Sequence, residues 1–212
     1  MSTSLTPQVK ALIEKAQIVS FASWCDRYSA DLIDRLQQAN TDRRYLYDDD
    51  LAALQQSGAP AANIAAAQQL RDHASQLVDQ ARAQVLEAFP GITAPAGRLF
   101  PEMRAEACWR DFWQFLRCVS YGVAAGQTDY TDTTGLHYME QLYQALQVPL
   151  DAMVHGLTAL AGASSRQTNM ALAPYFDSLI EALSQFQPAD LPLPPSRSTP
   201  DQTGSAQESL QS

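Results

Sequence analysis

Four side chains able to bind or react stand close together in the stretch MRAEACWRDFWQFLRCVSYGVAAG at 103–126: Arg104, Cys108, Arg110 and Asp111. Wound as a helix at about 100° per residue, Cys108, Phe112, Phe115, Leu116, Val119, Gly122 and Val123 fall in one apolar arc, and Asp111 lies inside it. A carboxylate turned toward a core is costly unless something donates hydrogen bonds to it. Arg104, one helical turn before Cys108, joins Cys108 and Asp111 in a single stripe, so a cation, a nucleophilic sulfur and an acid converge. Arg110 lies about 160° round the helix from Cys108, and only its long side chain could reach back. Two readings fit the stripe: an internal pair of Asp111 with Arg104 beside a small core cysteine, or three groups that face a ligand.

The elements that must position these groups are helical. The chain has 212 residues, 46% of them apolar, with only nine glycines and long Ala/Leu/Gln-rich runs, and β-branched alternation of useful length is missing. This composition predicts one all-α domain over 1–187. Thr6-Pro7 reads as an N-cap and first helical residue, and one long or two shorter helices are expected over 7–38. Asp48, Asp49 and Asp50 favour a helix start before LAALQQ, SGAP at 57–60 breaks it, and 61–88 reads as one long amphipathic helix. Beyond the motif helix and the polar loop QTDYTDTT, three further helices begin near LHYMEQ, at PLDAMVHGLTALAG and at NMALAPYFDSLIEALSQF, with Pro174 either kinking the last or sitting in its first turn. Residues 188–212, rich in Pro, Ser and Gln, read as a disordered tail.

Charge and composition exclude several functions. Fourteen Lys+Arg against 23 Asp+Glu give a net charge of −9 and a pI near 4.6, which repels nucleic acid. The sequence has no apolar run long enough to span a membrane, and its start lacks the pattern of a secretory signal, so a cytoplasmic protein is expected. Cys25, Cys108 and Cys118 suit reduced thiols, and no spacing suggests zinc. Histidines 73, 137 and 155 are the only candidates for an axial haem ligand and read as surface or core residues. Catalysis by Cys108 finds no base near it in sequence, and a non-enzymatic protein is expected.

The motif carries a resemblance. Cys108, Arg110 and Asp111 in a C-x-R-D core, then Leu116, Arg117, Tyr121, Ala125 and Gly126, with PAGR upstream in register, resemble the phycobiliproteins, the light-harvesting bilin proteins of cyanobacteria and red algae. Tyr143, Ala145, Leu146 and Pro149 in LHYMEQLYQALQVP, together with APYFDSLIEALS, ANTDRRYLYDDDLAAL and ASQLVDQARAQVLEAFP, extend the similarity over about residues 9–186. The resemblance implies a globin-like helical domain with an N-terminal helical extension over 7–45 used for subunit pairing. It also implies one linear tetrapyrrole, phycocyanobilin or a similar bilin, in thioether linkage to Cys108. Such a bilin has pyrrole N–H donors on one edge and two propionates on the other. Asp111 is then the acceptor for the N–H pair, and Arg104 and Arg110 resemble the propionate partners.

Departures from the pattern qualify these implications. Arg98 stands where β-type chains have a modified asparagine, Asn40 replaces an aspartate used in pairing with a partner's equivalents of Arg117 and Tyr121, and no cysteine follows Cys118 to hold a second bilin. They point to a divergent member associated with light harvesting or the phycobilisome, with two alternatives: a bilin-handling or regulatory protein linked to bilin synthesis or to phycobilisome assembly or breakdown, or a pigment-free interaction module. The expected partners are a second copy or a related chain, paired through 7–45 where Leu12, Ile13, Ile18, Phe21 and Trp24 would lie partly exposed, and a bilin lyase. The expected location is the cytoplasm, at the cytoplasmic face of the thylakoid membrane. Trp109 and Trp113 read as marks of a helix or subunit contact.

Overall fold

The side chain of Thr6 accepts a hydrogen bond from the Val9 N–H at 3.3 Å, and Pro7 needs no donor in the first turn, so the chain enters its first helix where the sequence predicts. The computed structural model describes residues 5–187. In chain order its helices are α1 (Pro7–Lys15), α2 (Ala30–Thr41), α3 (Asp48–Gln56), α4 (Ala61–Asp72), α5 (Ala74–Ala88), α6 (Glu102–Ala125), α7 (Thr133–Leu146), α8 (Leu150–Thr168) and α9 (Ala173–Gln185). The described residues form no strand, only one antiparallel bridge between Val19 and Thr131. The all-α expectation holds. The tail expected at 188–212 lies outside the described residues.

α6 is the axis of the assembly. Every residue from Phe115 to Ala125 is buried, and α4, α5, α8 and α9 all pack against it. Each residue of the apolar arc is buried, as its periodicity requires. Gly126 then takes a left-handed conformation, φ 65°, and closes the helix.

Two boundaries differ from expectation. The helix predicted over 61–88 breaks at His73, φ −110° and ψ 14°. No Gly or Pro signals this break; it separates a half packed mainly on α6 from a half packed mainly on α8, a tertiary demand that local periodicity cannot register. α8 runs on to Thr168, whose hydroxyl bonds the Ser164 carbonyl, and ends at Asn169 with φ 50°. Pro174 falls in the first turn of α9, where it is tolerated.

The three aspartates at 48–50 do more than favour a helix start. Asp50 is 2% exposed and accepts from the Tyr47 N–H at 2.9 Å, from Arg35 at 2.7 Å and from Arg44 at 2.6 Å. Burial alone would raise its carboxyl, but these donors prevail and hold it below the usual range.

The N-terminal apolar residues correct an expectation. Phe21 and Trp24 are 2% and 1% exposed, Leu12 and Ile18 are buried, and Ile13 is half-buried. They are not a free face for a partner, because α1 packs on α7 and the stretch after it crosses the end of α6. Asn40 likewise meets its own chain: its Oδ1 accepts from Arg117 at 3.1 Å. Arg117 is 5% exposed, bonds Gln114 and Tyr121 as well, and has no carboxylate within 4 Å among the described residues.

A buried guanidinium held only by neutral acceptors should gain from an anion. Asn40→Asp places a carboxylate against Arg117, so its folded-state pKa falls below that of the unfolded chain. The stability gained is present above the unfolded value, near pH 4, and disappears as pH falls through the folded one. Denaturant unfolding should find the variant about 1–2 kcal/mol more stable at pH 7 and no more stable near pH 3. A loss of stability at pH 7 would contradict this assignment of Arg117's partners.

Candidate functional site

The N-terminal half of α6 places the sequence-predicted residues. Pro101 caps the helix, Met103 is 64% exposed, and the chain becomes buried from Cys108 inward. Arg104 is half-buried, Cys108 buried, Arg110 exposed and Asp111 half-buried. The stripe is therefore real: one edge of α6 passes from solvent to interior across Arg104, Cys108 and Asp111.

The internal pair of Asp111 with Arg104 does not form. Arg104 instead donates to the Gln147 carbonyl at 2.9 Å, beyond the C-terminal end of α7. Asp111 Oδ2 accepts from the Tyr143 hydroxyl at 2.9 Å, and Oδ1 has no donor among the described residues. Burial pushes the Asp111 carboxyl up to about 6, against the smaller opposing effects of the Tyr143 bond and the Arg110 charge. Burial also pushes the Cys108 thiol up to about 12; the Asp111 charge adds to this and the Arg104 charge opposes it. At neutral pH the sulfur is therefore a thiol. Arg104 thus acts electrostatically on the cysteine and Arg110 on the acid.

One residue of this site was not selected by sequence reasoning. Among the described residues Tyr143 contributes the only donor to Asp111, yet it lies 32 positions away on α7, and no local pattern sets the rotation of α7 against α6. Trp109, 6% exposed, stacks on Phe112 at 6.0 Å under the Arg82 guanidinium at 5.5 Å, and its indole N–H is buried without an acceptor among the described residues. Trp113 packs edge-on against Tyr45 at 4.8 Å, so both tryptophans mark contacts between segments of the same chain. Arg98 makes a forked ion pair with Asp151 at 2.7 and 2.8 Å, which ties the 89–101 connection to the start of α8.

The donor set suits a ligand that brings N–H groups and carboxylates together. Asp111 offers a half-buried acceptor with one oxygen to spare, Arg104 and Arg110 offer cations, and Cys108 offers sulfur. These residues fit a linear tetrapyrrole. Such a group would supply a conjugated, light-absorbing chain with pyrrole N–H donors. Among the described residues no group of His, Cys, Asp and Glu could hold a metal ion, and no helix is long and apolar enough to cross a membrane.

Comparisons with known proteins identify the family. The family model described as "Phycobilisome protein" matches residues 34–183. Allophycocyanin subunit alpha-B of Synechocystis sp. is 34% identical over 154 residues, 69% of this chain and 94% of that protein. Its counterpart from Nostoc sp. is 32% identical over the same shares of both chains. Allophycocyanin subunit alpha 1 of Nostoc sp. is 31% identical over 121 residues, 55% of this chain and 75% of that protein. The matched region contains α3 to α8 whole, with Cys108, Asp111 and Tyr143 inside it, and this chain, all-α and globin-like, belongs to the phycobilisome protein family of light-harvesting proteins.

Proposed function

We propose that this chain is a divergent phycobiliprotein that holds one bilin in thioether linkage to Cys108. The observation that carries the reading is the half-buried Asp111 carboxyl, which among the described residues has one donor, no cation within 4 Å and one oxygen left without a partner. A protein gains nothing in stability from such a group. Asp111 takes the inner pyrrole N–H pair and holds the bilin extended and protonated, while Tyr143 fixes the carboxylate. Arg104 and Arg110 take the propionates. The role is that of a pigment protein and not an enzyme, at the cytoplasmic face of the thylakoid membrane, with a related chain as partner.

The buried, protonated Cys108 thiol supports a bilin lyase as a further partner, since an unassisted thiol of that pKa adds slowly to a double bond. The same feature favours a second reading, a bilin-handling protein that binds pigment reversibly. Co-expression with a bilin-making pathway separates the readings: colour retained in acid urea supports covalent attachment, colour lost there supports handling, and a colourless protein contradicts both. Cys108→Ala should abolish zinc-induced bilin fluorescence on a denaturing gel, whereas Cys25→Ala and Cys118→Ala should retain it. Asp111→Ala should keep attachment but blue-shift and weaken the long-wavelength band; an unchanged spectrum would remove Asp111 from the pigment site.

The pigment-free chain offers a pH test. Because folding raises the Asp111 pKa from 3.8 to about 6, the folded state binds the proton more tightly, and stability falls as pH rises across that window. Asp111→Asn has no such group to ionise and keeps an acceptor for Tyr143. It should be about 1–3 kcal/mol more stable than the parent at pH 7 and little different near pH 4. A variant less stable at pH 7 would mean that the carboxylate is a structural anchor.

A further inference from the structure

Residues 5–29 precede the matched family region and lie across the C-terminal end of α6, away from Cys108. The Ser20 N–H donates to the Tyr130 carbonyl at 2.9 Å, and the Asp132 N–H donates to the Ile18 carbonyl at 2.8 Å. Ser23 and the Trp24 indole both donate to the Asp129 carbonyl, at 3.1 and 3.3 Å. Tyr28 donates to the Ala125 carbonyl at 2.8 Å, an acceptor that the end of α6 leaves without a helical partner. Phe21 and Trp24 fill the space beneath, with the Phe21 ring 5.9 Å from that of Tyr121.

The body of the domain is shaped to receive this strap. Gly135 lies in the first turn of α7, a position where alanine is ordinarily the better helix former. A Cβ built there would fall on the Gln17 carbonyl oxygen, inside any real contact distance. By contrast, the nearest atom to a Cβ at Gly162 in α8 is the Arg166 guanidinium, at 3.4 Å. Charge agrees with the fit: the strap carries Lys10, Lys15 and Arg27 against Glu14 and Asp26, a net positive segment on a chain of net charge −9. The Lys15 ammonium lies over the Tyr138 ring of α7 at 5.1 Å.

We propose that the end of α6, the 126–132 loop and the start of α7 form an interaction surface that the chain closes in cis with residues 5–29, and that a second copy is the partner admitted when the strap lifts. A lifted strap exposes Phe21 and Trp24 together with the seat they leave. Two such molecules satisfy both by exchanging straps, which restores every hydrogen bond described above without a new interface. The second copy is the partner because it carries the segment for which Gly135 makes room.

The test uses the full-length chain, limited trypsin digestion at Lys15 and Arg27, and size-exclusion chromatography with light scattering over a range of concentrations. The parent should be monomeric with a protected strap. Gly135→Ala should speed cleavage about ten-fold or more and give a mass that climbs from one chain to two with concentration. Gly162→Ala should do neither. A weaker helix cannot explain the effect of Gly135→Ala, because alanine favours α7. Trp24→Ala loosens the strap from its own side and should reproduce both changes if Gly135→Ala fails to fold. The proposal is overturned if the parent is already dimeric, if its strap is cleaved as fast as in the variants, or if the freed variants stay single chains at the highest concentration.

Discussion

α6 turns two opposite charges inward, Arg117 buried and Asp111 half-buried, and gives neither an opposite charge of its own. Asp111 near its middle is held by the Tyr143 hydroxyl, and Arg117 nearly two turns on is held by Asn40, Gln114 and Tyr121. Six positions along a helix turn the two side chains to different sides, so they cannot neutralise each other. Each must be met by a different part of the chain. α7 comes to one side with Tyr143, and α2 with the segment after it comes to the other, where Tyr121 also donates to the Arg44 carbonyl. The arrangement of helices around α6 thus follows from the need to meet these two groups as well as from apolar burial.

The two charges are met unequally, and that difference separates structure from function. Arg117 has several acceptors and sits in a sealed contact among Tyr45, Tyr121 and Cys118, as a structural cation does. Asp111 has one donor and lies beside a cysteine at the point where α6 passes from solvent to interior. On the proposed reading, the partial desolvation of this carboxyl is what a site costs when its missing partner is a ligand. The same burial keeps Cys108 a thiol and protects it from adventitious oxidation.

Much of this was legible in the sequence because it is local. The apolar arc of α6, the cap at Thr6, the break at 57–60 and the place of Asp111 within the arc all depend on residues within a few turns of one another. The C-x-R-D core with both flanks made the family legible too. What stayed hidden depends on rotation and approach between distant segments. His73 breaks a helix whose periodicity runs on without interruption, because its halves answer to different neighbours. Tyr143 becomes part of the site only once the phase of α7 is known. Phe21 and Trp24 read as residues for a partner, since nothing in their own sequence reveals that the chain returns them to the end of α6.

The central claim is that the sulfur beside the half-buried acid carries the pigment, and trypsin divides the chain so that the claim can be read directly. Cleavage at arginine and lysine puts Cys108 in Ala105–Arg110, Cys25 in 16–27 and Cys118 in 118–166, three peptides with one cysteine each. Mass spectrometry of the digested, pigment-loaded protein should find the added bilin mass on the peptide Ala105–Arg110 and on neither of the others. The bilin mass on a peptide containing Cys25 or Cys118, or a coloured protein with all three cysteines unmodified, would contradict the account.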